Sequence, residues 1–436
     1  MYDKSLITEK RLAELKAARD RRRSEGFLSA SEIIGKSAAE GLEYLYNIYN
    51  EGMYLWIAGL WEPEIGGFYY SNSARDTEGY LPDIESTAQA LNHLVTAGIF
   101  SYLGEGSYGA LAPDYIRYPV LNFALSLQDP DGFFYHPQWG KNIGVTRRGR
   151  DLSWSTGLIK AFGGTPRYTT PIAGSGESKA LLPDHLQSLD KFKEYIYALD
   201  IKGDSYWVGN YLQAQILQIK AAGQEYVDTL LDWYAANQNH ENGLWTEEVK
   251  YSGTNGLMKI CLAYTACSAP IPNAERSLDS CIQMLTSTAR SGMMTSYYNP
   301  WTTMKMLIDN IRSFDSGEKA DKLSAKLLDS AAAMMIATAD KVVEYRKADG
   351  SYSYSPDRSS WQSQGAPVAV PFTPEGDING NALASTGVVR NVCNTLGIPV
   401  IPLFCKEDGK LFFELMENSY PSKKLYPRPE KFTPDK

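Results

Sequence analysis

The chain has 436 residues, 43% of them hydrophobic, and a net charge of −8 with a pI near 5.3. That acidity argues against a nucleic acid held through its phosphates, and no run approaches the ~18 apolar residues that cross a bilayer. Residues 1–23 lack the apolar stretch of a secretory leader, so the expected setting is cytoplasmic, without membrane or nucleic-acid partners.

Residues 1–37 read as a charged, solvated helix in which Arg19 and Arg21-Arg22-Arg23 make a basic cluster. From residue 38 onward a small turn of glycine, acid or amide and aromatics recurs. Its clearest copies are Gly66-Gly67-Phe68-Tyr69-Tyr70, Asp131-Gly132-Phe133-Phe134-Tyr135, Asn242-Gly243-Leu244-Trp245 and Asp349-Gly350-Ser351-Tyr352. The glycines stand 65, 111 and 107 residues apart (67, 132, 243, 350), so a degenerate copy is expected within each long gap. Gly203-Asp204-Ser205-Tyr206-Trp207 and Gly292 through Trp301 fill those places. Such a period marks repeats that bury their apolar faces by stacking on one another.

Each unit reads as a helical hairpin. First helices precede the turns, at residues 115–126, 225–237, 274–289 and 322–344. Second helices follow, after lead-ins at residues 82–87, 151–156, 208–210, 252–256, 300–303 and 377–381. The second helices are rich in Ala, Leu and Met around most of their circumference and are therefore expected to be the inner ones. The predicted fold is all-α: an (α/α)6 toroid of six hairpins over residues 38–400, with short extended loop ribbons at one rim. Residues 368–372 are expected to be extended. Residues 163–179 read as a surface connector, and residues 401–436 form a C-terminal extension with a Pro- and Lys-rich tail.

Gln128-Asp129-Pro130-Asp131-Gly132-Phe133-Phe134 and Gln238-Asn239-His240-Glu241-Asn242-Gly243-Leu244-Trp245 are similar to the Gln-then-Gly-x-aromatic repeat of terpenoid cyclases and protein prenyltransferase β subunits. The chain thus resembles the broad α/α-toroid group, which also contains six-hairpin glycosidases and polysaccharide lyases. The resemblance implies the scaffold and not the reaction.

Cys261, Cys267, Cys281, Cys393 and Cys405 fall at irregular spacing without a CxxC pair and read as reduced thiols. The four histidines, His93, His136, His185 and His240, do not combine with a cysteine in the zinc pattern of prenyltransferases. No phosphate-binding or dinucleotide glycine loop occurs, nor a GxSxG elbow. No cofactor and no metal are expected.

In a toroid the starts of the inner helices and the aromatic turns meet at one rim. That brings together Asp83 and Glu85; Arg150, Asp151 and Trp154; Tyr206, Trp207 and Asn210; Tyr251, Thr254 and Asn255; Tyr297, Tyr298, Asn299 and Trp301; and Glu375, Asp377, Asn379 and Asn381. Acids and amides bond sugar hydroxyls and flat rings stack on the apolar sugar face, so an oligosaccharide or other small-molecule substrate is the expected partner. Glycoside hydrolysis needs a protonated and an ionised carboxyl. Asp83, Glu85, Asp151 and Asp377 are the catalytic candidates. Tyr70, Arg150, Trp154, Trp207, Asn210, Trp245, Asn255, Tyr297, Tyr298, Trp301 and Asn379 are the substrate-binding candidates. Against this stands helix capping, which also favours Asp at a helix start and Glu in its first turn. Glu247 and Glu248 come next as acids.

Arg147-Arg148-Gly149-Arg150 offers a clamp for an anionic group, which would suit a lyase on uronic-acid oligosaccharides with His136, His240, Tyr297 or Tyr298 as base. A terpenoid cyclase would need DxDD or DDxxD, and Asp129-Pro130-Asp131 is the nearest approach. A non-catalytic binding toroid is the remaining alternative.

Overall fold

The structure, a computed structural model, describes residues 1–171 and 183–422. Residues 172–179 of the connector expected at 163–179, and residues 423–436 of the tail, therefore lie outside the described residues. The fold is all-α, with 62% helix and 3% strand.

The helices that follow the repeated turns are Ile84–Thr96, Val145–Ala161, Ser205–Ala214, Tyr251–Ala266, Thr295–Phe314 and Ile378–Ala382, the last running through a π-turn at Leu383–Gly387 into Val388–Leu396. Tyr251–Ala266 packs on Ser205–Ala214 and on Thr295–Phe314, and Thr295–Phe314 packs on Val388–Leu396. Ile378–Ala382 packs on Ile84–Thr96, which in turn packs on Val145–Ala161. The helices that precede the turns back this series: Asp114–Ser126 lies on Val145–Ala161, and Ala274–Thr286 lies on Thr295–Phe314 and on Gly317–Val342. Gly317–Val342 also packs on Lys36–Tyr46, so the sixth unit meets the first.

The repeated glutamine explains itself in the turns. Gln128 donates to the Tyr168 carbonyl at 2.9 Å and accepts from the Tyr168 N–H at 3.0 Å. Gln238 donates to the carbonyls of Gly243 (2.9 Å) and Pro272 (3.0 Å) and accepts from Asn273 (2.8 Å). Each glutamine thus ties its turn to the start of the next unit. Gly243 has φ +69°, and a Cβ there would lie 2.4 Å from the Ser277 nitrogen, so both handedness and close approach demand glycine. The degenerate copies at Gly203 and Gly292 lack this left-handed glycine.

Three expectations are corrected. Residues 151–156, 208–210, 252–256 and 300–303 lie within helices and not before them. Their small residues serve close helix contact: a Cβ on Gly256 would meet Ser205 Oγ at 2.2 Å, and one on Gly209 would meet Lys259 Cβ at 2.9 Å. Extended pairing occurs at an aromatic turn as expected, where Trp61–Glu62 pairs with Gly67–Phe68, but the second hairpin is Gln362–Ser363 with Ala366–Pro367, and Val368–Phe372 is outside it. The first helix, Glu9–Ile34, is not merely a solvated appendage. Arg19 and Arg23 are buried, Arg19 on Asp408 (2.8 Å) and Glu51 (2.5 Å), Arg23 on the carbonyls of Leu403, Tyr46 and Tyr49. Residues 406–417 form a helix against which the first helix packs. All five cysteines are unpaired, and no helix among the described residues is long and apolar enough to cross a membrane.

Candidate active site

Asp83 caps the Ile84–Thr96 helix, its Oδ1 accepting from the N–H groups of Glu85 and Ser86 at 3.1 Å each. One turn of that helix places Glu85 beside it. From the neighbouring helix Arg147 reaches both: Nη2 stands 3.2 Å from Asp83 and Nη1 3.2 Å from Glu85. Its Nε lies 2.9 Å from Asp151, one turn further along its own helix. Three carboxyls therefore share one guanidinium that is itself wholly buried. Arg150 bonds the other oxygen of Glu85, where Gln89 also donates at 3.1 Å, and Ser363 of the hairpin donates to Oε2 at 3.0 Å. Asp151 is not a helix cap, as its sequence position suggested; it is the seventh residue of Val145–Ala161.

The three acids differ in how they are satisfied. Asp83 and Glu85 are each held by several aligned donors. Neither oxygen of Asp151 receives an aligned hydrogen bond, since the Arg147 contact is a close ion pair with poor N–H direction. Two guanidiniums face three buried carboxyls, leaving one negative charge in excess. Burial pushes the Asp151 carboxyl up to about 6, against the pull of Arg147 and with a further push from Asp83 and Glu85. Asp151 is the proton-holding member.

The cluster has an aromatic roof. Trp139 lies over the Arg147 guanidinium at 4.7 Å and stacks on His136 at 4.1 Å. His136 Nε2 bonds the Pro82 carbonyl (2.8 Å) while Nδ1 meets the Gln138 N–H (3.2 Å). A carbonyl accepts and an N–H donates, so the ring is the neutral Nε2–H tautomer. Burial lowers its pKa to about 4, which keeps it neutral. Both ring nitrogens being committed, His136 orders the loop, and the base role suggested for it has no free nitrogen.

Asp377 is a different kind of acid. It caps Ile378–Ala382 and is fully buried. Oδ1 accepts from Gly380 N–H (2.6 Å) and Tyr70 Oη (3.2 Å), and Oδ2 from the N–H groups of Tyr354 (2.8 Å) and Ser360 (3.1 Å). Four donors fill the four lone-pair positions of a carboxylate. Burial nonetheless raises its pKa to about 6. Asp377 pins the rim loop, and Tyr70 is its bonding partner.

The remaining candidates divide by exposure. Trp245, Tyr297 and Trp301 are core residues whose polar tips bond Tyr234, Ser291 and Thr338. Asn255 is buried, with Oδ1 accepting from Asn299 at 3.0 Å. Trp154, Asn210, Tyr298 and Asn379 are half-buried, and Trp207 is exposed and flanks the exposed Tyr211 at 6.0 Å. Arg148 lies over the Phe133 ring at 4.9 Å, apart from the acids. Of the three arginines read as a clamp, Arg147 and Arg150 are thus already engaged with carboxylates.

Sequence reasoning missed the accessible stripe that the helices following the turns keep. On Ile84–Thr96 it runs Gln89, Asn92, Thr96; on Tyr251–Ala266 it runs Ser252, Lys259, Leu262, Ala266; on Thr295–Phe314 it runs Thr295, Tyr298, Thr302, Lys305, Asp309. The spacing is three to four residues except for the seven between Ser252 and Lys259, which is two turns, so each stripe follows one helical face. Lower down, Thr302, Lys305, Met306, Asn391 and Asn394 line a cavity of about 370 Å³. Another cavity, about 760 Å³, lies elsewhere, between residues 270–276 and the start of Gly317–Val342, and its lysines 319, 322 and 326 are all paired with acids. Among the described residues no group of three or more His, Cys, Asp or Glu side chains is placed to hold a metal ion.

Comparison of the chain with known protein families, with curated proteins and with solved structures finds no match.

Proposed function

We propose that the inner helices close into an α/α toroid and that its interior is the substrate site of a glycoside hydrolase. The observation that carries this is the lining of the accessible stripes. Gln89, Asn92, Asn210, Asn379 and Thr302 supply sugar-bonding groups, and Trp154, Tyr206 and Tyr298 supply ring faces, all half-buried or exposed. A dry hydrocarbon-cyclising cavity would not carry so many amides.

Asp151 and Glu85 meet the electrostatic demand for hydrolysis. Burial raises the Asp151 carboxyl to about 6, which suits it to deliver a proton, and Glu85 is paired with Arg147 and Arg150. Asp151 protonates the departing glycosidic oxygen as the C–O bond breaks, while water bonds to the anomeric carbon and yields its proton to Glu85. Arg150, 38% exposed at its side chain, is the solvent-facing partner of Glu85. Asp83 and Asp377 position the rim.

The test is release of reducing ends from a panel of neutral and acidic oligosaccharides. Turnover by the wild type that Asp151→Asn and Glu85→Gln each lower by at least about a hundredfold, with melting temperature retained, supports the assignment. Unchanged turnover in either variant overturns it.

A further inference from the structure

We propose that Lys259 and Arg390, with Tyr206, Tyr298 and Tyr354, form a subsite for the carboxylate of an acidic sugar residue; this rests on the carbohydrate reading above. Lys259 projects from the stripe of Tyr251–Ala266 and lies 5.8 Å from the Tyr206 ring centroid. Tyr298, on the next helix, is close enough to Tyr354, Tyr206 and Arg390 to feel all three, and Tyr206 likewise feels Tyr354. Four segments distant in sequence therefore converge: Ser205–Ala214, Tyr251–Ala266, Thr295–Phe314 and Val388–Leu396, with Tyr354 from the rim loop.

The chemistry of this group is unlike that of the acid cluster. Lys259 and Arg390 have no carboxylate partner among the described residues, whereas Arg147, Arg150 and Arg19 are each paired with acids. Lys259 is half-buried, and desolvation lowers its pKa, so its charge is held without a counter-ion. A half-buried cation without a counter-ion is a binding position for an anion. Next to Tyr298 a second observation points the same way: Asn299 Oδ1 is buried and unpartnered, while its Nδ2 donates to Asn255 Oδ1 at 3.0 Å. Cations for a carboxylate, amides for hydroxyls and three phenol rings for a pyranose face fit a uronosyl residue better than a neutral hexose.

Calorimetric titration with a glucuronate-containing disaccharide, its glucose counterpart and a prenyl diphosphate tests the proposal. The acidic disaccharide is expected to bind at least tenfold more tightly than the neutral one. Lys259→Met or Arg390→Gln should weaken it by about ten- to a hundredfold, as for loss of a hydrogen bond to a charged group, while the neutral sugar changes less than twofold. Arg390 is exposed, so its variant keeps the fold even if Lys259→Met does not, and melting temperatures check both. Equal binding of both sugars, unmoved by either variant, overturns the subsite and leaves the carbohydrate reading standing. Binding of the diphosphate without either sugar, or of none of the three, overturns both.

Discussion

Arg147→Met tests whether one guanidinium holds the rim together. Methionine keeps most of the volume, so the perturbation is chiefly electrostatic. Arg147 is completely buried, and the side chains of Asp83, Glu85 and Asp151 are no more than 5% exposed. Removing one partner of a buried ion pair costs about 3–5 kcal/mol, and here three carboxyls lose the same partner, with only Arg150 left beside Glu85. The upper half of that range is expected at pH 7.5. The stranded carboxyls answer by taking up protons: burial and mutual repulsion raise their folded-state pKa values above those of the unfolded chain. A raised folded pKa gives stability that is complete below the unfolded value and is lost as pH rises through the folded one. The deficit relative to wild type should therefore shrink between pH 7.5 and pH 5, by about 1.4 kcal/mol for each unit of additional shift. Urea denaturation at the two pH values, followed by circular dichroism, reads both quantities. A deficit below about 1 kcal/mol, or one of the same size at both pH values, would refute the shared-guanidinium account.

Three further expectations rest on individual acids. Asp377→Asn should lower stability by about 2–4 kcal/mol, because an amide NH2 must then face two of four buried donors; an unchanged melting temperature would show that those donors find other partners. With its carboxyl raised to about 6 by burial, Asp151 is protonated more readily in the folded state, so it favours folding at acid pH and loses that contribution as pH rises through about 6. Asp151→Asn should flatten the stability profile between pH 4 and pH 6.5 by up to about 3 kcal/mol, and a profile as steep as wild type contradicts the assignment. If Asp151 is the acid, turnover should decline above about pH 6, and a rate that stays level to pH 8 excludes it. Replacing both Trp207 and Tyr211, which are 52% and 53% exposed, by alanine should weaken oligosaccharide binding without moving the melting temperature; unaltered affinity would place the ligand elsewhere.

Much of the helical order was legible because the repeated turns carry local signals. Gly132, Gly243 and Gly350 mark left-handed positions that few other residues adopt, and Asp83 and Asp377 mark helix starts through capping. Asp151 misled for the same reason: an aspartate before Leu-Ser-Trp resembles a cap, and its partner Arg147 lies one turn upstream in a helix whose start, after Gly144, has no side-chain cap. The role of Arg147 was equally hidden. Three arginines in four positions look alike in sequence, and burial separates them only after the Ile84–Thr96 helix brings its acids alongside. Trp245 and Trp301 looked like platform rings, but their indole nitrogens are consumed in the core, on Tyr234 and Thr338. The Lys259–Arg390 grouping spans 131 residues of sequence and no local pattern announces it.

The buried arginines of the first helix have a temporal consequence. Asp408 and the Leu403 carbonyl that satisfy Arg19 and Arg23 come nearly four hundred residues after them. During synthesis the Glu9–Ile34 helix therefore waits for residues 403–408 to complete its burial. Contacts of such long range close late and slowly. Deleting residues 403–420 should then release the beginning of the protein as well as its end, and limited proteolysis of that truncation should cut first within residues 9–34.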